Sequence, residues 1–434
     1  MNTTLIAMPE YLTRYFENNN LVGPVYLKEI RKKALARFEE LGLPTTKHEE
    51  WKYTNLLPLS KSEFHPALYN TLDKKEVNED MIAGKDVFLL VFENGKLNKE
   101  LSSYENLPKG VTVGDLSENF EHPAVIANLT KHASYENEAL VALNTAHILD
   151  GAFIHVEANV ECSKPIHLLY ITGGEENVLV FPRNIVVAEK KSSVNIIESY
   201  HSRNEQSAFI NSVSEIVIDQ HAKVEWTKVQ MENQNTFHID HTETKQHNDS
   251  VIDIHTITFG GKLVRNNLHM VLNGQRISSN LNGLYVGGGE SHIDNHTLVD
   301  HTMPNCLSNE LYKGVLDGKS KGVFNGKIFV RKDAQKTNAY QSNKNILMSD
   351  DAAVNTKPQL EIFADDVKCS HGATTTGQMD AEAIFYLRSR GIGLEAARTF
   401  LTIAFADDVL NRITNDKLRD ELKFRIGNKL NHTS

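Results

Sequence analysis

Between Pro182 and Pro358 only Pro304 removes a backbone N–H, so this long stretch can donate hydrogen bonds to a strand ladder almost without a break. From about residue 85 the chain is written in short runs rich in Val, Ile, Thr and Phe: VFLLVF, AFIHVE, IHLLYIT, NIVVAE, SEIVID, IDIHTITF and KIFVRK, separated by Gly, Asn and Asp. Few segments of helical period intervene, so the middle of the protein is predicted to be one β body. Aligning VAEKKSSV (187–194), IDQHAKV (218–224), MSDDAAV (348–354) and FADDVKC (363–369) gives an apolar strand end, a polar turn and a residue that re-enters the core. The re-entry residues Val194, Val224, Val354 and Cys369 are 30, 130 and 15 residues apart, an irregular repeat that suits stacked coils of unequal loop length. Residues 130–375 are read as a β-solenoid. A sandwich or Greek-key barrel stays open, because periodicity does not separate them.

Both ends read as helical. Leu27, Ile30, Ala34, Phe38 and Leu41 recur at three- and four-residue steps within a first stretch that runs to about Leu68, and Gly42 and Pro44 stop that helix. Near the C-terminus Asp380 caps a helix through Ile384, Phe385 and Leu387 that ends at Gly391. Leu394, Ala397, Leu401 and Ala404 stripe a second, and Leu418, Leu422, Ile426 and Leu430 stripe a third that starts at Asn415/Asp416. Three short helices bury little among themselves. They must dock on the β body or on a partner, and Phe400 and Phe405, beside the main stripe, leave apolar surface for a partner.

Charge and composition narrow the function. With 46 basic and 56 acidic residues the net charge is −10, and the segment 376–434 holds nine basic against eight acidic residues, so nucleic-acid binding is not expected. The longest apolar run, Val87 to Phe92, is far below the ~18–20 residues of a membrane span. The opening MNTTLIAMPEYLTRYFENNN lacks the basic start of a secretory signal, which points to the cytoplasm. Cys162, Cys306 and Cys369 are an odd number without a CxxC, so they do not form a disulfide framework.

Several motifs fail on spacing. Gly314-Val-Leu-Asp-Gly318-Lys319-Ser320 has three residues before GKS where a phosphate-cradling loop needs four, and Gly287 to Gly289 lacks the dinucleotide-binding spacing, so both read as turns. Among 19 histidines, His238, His241 and His247 form one loose cluster and His292, His296 and His301 another, neither with clean ligand geometry. Asp350/Asp351 and Asp365/Asp366 would suit glycoside cleavage on a β-helix, but adjacent strand residues point to opposite faces and both pairs fall in the repeat's turn. In Cys369-Ser370-His371-Gly372-Ala373-Thr374 an extended backbone puts Cys369 and His371 on one face, either as neighbouring ligands or as a core thiol beside a satisfied histidine. Three scattered cysteines cannot supply a four-thiolate cluster, so any cluster needs histidine or another chain.

The stretch from Gly322 to Ile392, with GKI, AQKT, QSNKN, NTKPQLEI, ADDVKCSHGAT and FYLRSRGI in order, closely resembles the SufD branch of the SufBD family of iron-sulfur cluster assembly scaffolds. The similarity covers about residues 130–405, and WKYTN (Trp51 to Asn55) resembles the family's weaker first signature. SufB proteins typically carry HEA where this chain has His371-Gly372-Ala373, and a Cys in the segment matching Asn345 to Met348, where none stands. The resemblance implies a mainly β fold: a right-handed parallel β-helix core (81–375) flanked by N-terminal (1–80) and C-terminal (376–434) α-helical domains. It implies a non-enzymatic scaffold that pairs with SufB through the β-helices and holds SufC, an ABC-type ATPase, through helices bearing Phe385, Leu387, Leu394, Phe400, Leu401 and Phe405. ATP would then be bound by SufC and not by this chain, and hydrolysis there would shift the SufB:SufD interface. Near that interface His371, with Cys369, would ligate iron or a transient iron-sulfur cluster shared with SufB. Two other arrangements stay open, a self-paired homodimer and a β-helix carbohydrate-active enzyme using the aspartate pairs. Whether the assembly binds a reduced flavin also stays open.

Overall fold

A computed structural model of the chain describes residues 11–12, 23–66, 69, 71–372 and 375–431. Most of the opening MNTTL segment, Leu68, Ala373, Thr374 and the side chain of Leu430 lie outside them. The body is a parallel β-solenoid of about eight coils. Successive strands alternate between two sheets. The first contains Ala152–Val156, Arg183–Ala188, Ala208–Ile218, Phe237–Gln246, Leu263–Leu272, His292–His301, Lys321–Val330 and Ala353–Ile362. The second contains Phe88–Glu93, Ile166–Thr172, Ser193–Ser202, Lys223–Met231, Val251–Thr258, Ser278–Gly287, Leu307–Leu316, Asn338–Leu347 and finally Lys368–His371 with Thr375–Gln378. All the predicted runs fall in strands, and the parallel pairing excludes the sandwich and the Greek key.

The repeat is more regular than the sequence alignment suggests. In the second sheet Val194, Val224, Ile252, Ser279, Ser308, Ala339 and Cys369 lie in one register column, at steps of 27 to 31 residues. Val354 belongs to the first sheet, beside Gly322, and mixing the two sheets produced the apparent irregularity. The coil period is also written in the corners. Asn159, Lys191, His221, Asp249, Arg276, Asn305 and Lys336 all turn with φ between 56° and 63°, a left-handed conformation that costs a non-glycine residue roughly 1–2 kcal/mol. Apart from Arg276, their N–H groups reach forward to the following coil, as in His221 N to Asn248 O (3.0 Å) and Asp249 N to Gln275 O (2.9 Å), so the corners stack as the strands do. Gly318 of the GKS segment turns with φ 64° at the opposite corner, between Leu307–Leu316 and Lys321–Val330, which confirms it as a turn.

Three proline positions follow from this ladder. Pro182 precedes a strand, Pro304 sits in a corner, and Pro358 lies on Ala353–Ile362, the last strand of the first sheet, where its missing N–H breaks no onward bond.

Helices cover both outer faces. Val25–Leu41 buries Leu27, Arg31, Ala34 and Phe38, and the Gly42 N–H closes it on Phe38 O at 2.8 Å. This helix packs on Ala139–Ala146, which lies on the first sheet. A fully buried Arg183–Glu215 pair, with Glu215 also accepting from Thr130 N (2.7 Å) and His132 N (2.8 Å), ties that helical layer to the strands. The WKYTN segment has a defined seat there. Trp51 stacks on the Arg265 guanidinium at 3.8 Å, Arg265 pairs with Asp294 at 2.8 Å, and Thr54 donates to the same carboxylate.

The C-terminal helices Leu394–Leu410 and Asp416–Asn431 lie on the second sheet, where Ala406, Val409, Leu410, Leu418, Leu422 and Ile426 cover Ile197, Val229, Ile257 and Leu284. The third helix buries Leu418, Leu422 and Ile426 of the predicted stripe. The second is rotated: Ala397, Thr402, Ala406 and Val409 are buried, Leu401 is half-buried, and Leu394 and Ala404 face out. Phe405 is a correction, since it packs half-buried against this core with Lys313 Nζ 4.3 Å above its ring.

Removing Arg265 leaves the buried Asp294 carboxylate without its guanidinium partner and Trp51 without its stacking plane. Arg265→Met is expected to lower unfolding free energy by about 3–5 kcal/mol, read from the guanidinium midpoint.

Candidate functional site

The solenoid changes character toward its C-terminal end. One inward column of the second sheet reads Ile166, Ile196, Trp226, Ile254, Leu281, Glu310, Gln341 and His371. Five apolar residues thus give way to three polar ones. Gln341 Nε2 donates to Glu310 Oε2 at 2.8 Å, and Glu310 is 1% exposed. Burial pushes this carboxyl up to about 7 in spite of its polar neighbours Thr297 and Gln341. Among the described residues, Glu310 Oε1 and Gln341 Oε1 have no hydrogen-bond partner.

Cys369 and His371 sit on the last full strand, opposite Ala339 and Gln341, and share the inward face as the extended reading requires. Their environments differ. Cys369 is half-buried in a cluster with Ile328, Val330, Ala339 and Ala364, and burial raises its thiol against a hydrogen bond from the Ala339 backbone. His371 is exposed, because no described strand of this chain follows to cover its face. At Gly372 an added Cβ would lie 2.3 Å from Tyr340 Oη, so the glycine lets this tyrosine lie across the strand end. The site therefore offers one accessible imidazole and one shielded thiol at an open sheet edge. The other two cysteines are core thiols: Cys306 donates to Gly274 O at 3.1 Å, and burial raises Cys162 to about 11.

The C-terminal residues expected to meet a partner divide into two groups. The helix Ala381–Ser389 starts as predicted, with Asp380 accepting from Glu382 N (2.9 Å) and Ala383 N (3.3 Å), yet it buries no residue. Phe385 and Phe400 are 73% and 68% exposed, Leu394 is also exposed, and Leu387 is half-buried. Tyr386 and Phe424, which the sequence reading passed over, are exposed as well.

The remaining candidates, already without clean ligand geometry in the sequence, are set apart by the fold. His238 points into the interior beside Glu232, while His241 points out. His292 accepts or donates to Thr54 Oγ1 at 2.9 Å and His296 faces Asp294 at 3.0 Å, whereas His301 turns inward to Ser308 at 2.9 Å. Asp350, Asp351, Asp365 and Asp366 are exposed turn residues, which leaves the carbohydrate reading without a paired acid and base.

The chain matches the family model for the SUF system FeS cluster assembly SufBD core domain over residues 170–405, and that for the SufBD protein N-terminal region over 7–168. It is 35% identical to an iron-sulfur cluster assembly SufBD family protein of Synechocystis sp., over 88% of this chain and 86% of the relative. It is 33% identical to iron-sulfur cluster assembly protein SufD of Escherichia coli, over 90% of each, and 28% identical to SufD of Bacillus subtilis, over 97% and 98%.

Glu310 gives this end a pH signature. The folded protein keeps its proton to about 7 while the unfolded chain loses it near 4.5, so the stability carried by the neutral carboxyl is full below 4.5 and drains away as pH rises through 7. Glu310→Gln, which keeps the bond to Gln341, is expected to gain on the native protein by about 3 kcal/mol between pH 4.5 and 7.5, measured by denaturant unfolding at both.

Proposed function

Because the chain belongs to the SufBD family of the SUF iron-sulfur cluster assembly system, we propose that it is a SufD-type, non-enzymatic scaffold that works in the cytoplasm. It pairs with SufB through the C-terminal end of its solenoid and holds the SufC ATPase on its C-terminal helices. The observation that carries this reading is the uncovered solenoid end. Ala353–Ile362 and Lys368–His371 close the two sheets with outer edges that no described strand of this chain pairs, and their side chains are half-buried or exposed where those of earlier coils are buried. An exposed strand edge invites another strand, and a partner's β-helix supplies one.

In that arrangement His371 faces the seam between the two chains and donates a neutral ring nitrogen to iron or to the nascent cluster, the cargo of the assembly. Cys369, shielded and held as a thiol, would join only once the seam opens and its proton leaves. ATP hydrolysis in SufC would supply the opening by moving helices that rest directly on the second sheet.

The helix Ala381–Ser389 supports the SufC assignment, since it presents Phe385 and Tyr386 to solvent while Leu394–Leu410 supplies Phe400 nearby in sequence. Deleting the whole C-terminal segment would strip the cover from Ile197, Val229 and Leu284, so surface substitution is the sounder test. Phe385→Asp with Phe400→Asp is expected to weaken SufC capture at least ~30-fold with an unchanged melting temperature; undiminished capture sinks the assignment.

Anaerobic co-expression with SufB and SufC, purified on a tag carried by this chain, tests the whole reading. The expected product contains all three subunits with iron and sulfide, and His371→Ala should lower both without dissolving the complex. A chain that purifies alone, without effect on SufC, refutes the scaffold role.

A further inference from the structure

A second group of metal-ligating side chains converges on the outer face of the first sheet, on the opposite sheet from Cys369 and His371. His241 and Glu243 are two residues apart on Phe237–Gln246 and so share a face, and His269 stands directly across from Glu243 on Leu263–Leu272. Glu243 Oε2 lies 3.2 Å from His241 Nε2 and 3.4 Å from His269 Nδ1. One donor atom from each of the three residues lies within 4.8 Å of the others.

Those distances have a metric meaning. Two donors each held ~2.1 Å from a single ion are roughly 3.0 Å apart at an octahedral angle and 3.4 Å apart at a tetrahedral one. Both carboxylate-to-imidazole separations fall in this interval. Two imidazoles and one carboxylate form the donor set preferred by Fe(II) and Zn(II), and three protein ligands leave positions for water or a small ligand.

The surroundings suit an ion as well. The ladder between the two strands fixes all three Cα positions, and the imidazoles meet edge to face with centroids 4.8 Å apart. His241 is 5% exposed, which limits competition from water. His269 lines a cavity of about 440 Å³ between this sheet and the segment around Trp51, which gives an ion a route inward. The nearby guanidinium of Arg265 is already paired with Asp294 at 2.8 Å.

We propose that His241, Glu243 and His269 bind one divalent transition-metal ion, of the Fe(II) or Zn(II) class. The site stands apart from the seam at His371 and does not depend on the partner assignments. Its chemistry is ligation alone.

Co(II) is the probe, followed on the full chain by equilibrium dialysis and by its visible ligand-field bands. The native chain is expected to bind one more Co(II) than His241→Ala/His269→Ala. Glu243→Gln, which preserves shape, should weaken that ion at least tenfold and abolish the rise in melting temperature on adding Co(II). His371→Ala should keep both the ion and the thermal shift. A native chain that binds no Co(II), or a Glu243→Gln chain that melts normally and binds Co(II) as tightly as the native one, overturns the proposal.

Discussion

A parallel ladder satisfies the amides and carbonyls of a strand only when another strand lies on each side, and this requirement organises the molecule. Within the stack every coil meets it for its neighbour. At the beginning the chain changes direction, and Val111–Asp115 and Lys96–Leu97 add as antiparallel strands that finish the sheets from within. At the other end nothing described on this chain performs that service. The strands there carry Pro358 in one sheet and His371 in the other, so the proposed partner edge lies where the backbone is left unfinished.

The interior adds a second consequence of stacking. Each inward residue contacts the equivalent residue one coil away, so columns share a chemistry until something changes it. Lys228, Glu198 and Asp240 form a buried charged group at the middle, with Lys228 Nζ 3.4 Å from Glu198 and 2.5 Å from Asp240. Such a group stabilises little against an apolar core but tolerates few other registers. Farther along, beneath His371, Glu310 Oε1 and Gln341 Oε1 find no partner among the described residues. Along that one column the interior turns from apolar to polar toward the open end, while the neighbouring column ends apolar at Ala339 and Cys369.

Much of this was legible from the sequence. β-branched runs located the strands, the Asp380 and Gly42 signals located helix ends, and the alignment of Cys369 with Val194 and Val224 anticipated a true column. What escaped depends on knowing the coil length. His241 and Glu243 are local, but His269 joins them only because its strand begins 26 residues later and stacks in register. The inward glutamate at 310 looks like any other polar residue in a strand that alternates. On Leu394–Leu410 the predicted stripe caught Ala397 but not Thr402, Ala406 and Val409, because helix-on-sheet docking favours small side chains while hydrophobicity alone drew attention to Leu394 and Leu401. WKYTN was visible as a signature, yet its purpose, an aromatic ring for Arg265, required the third dimension.

The stacked left-handed corners make the body a ruler. Seven corners in the same conformation mean that one coil of about thirty residues is a unit of length, worth ~4.8 Å along the stack. Inserting or deleting a whole coil would preserve every local interaction and still move the open edge by that increment relative to the helices behind it. A fractional change would throw corners, columns and both sheets out of phase together. The separation between the helical cover and the open edge is thus adjustable only in whole steps, and coil number is a dimension on which any assembly built at that edge must agree.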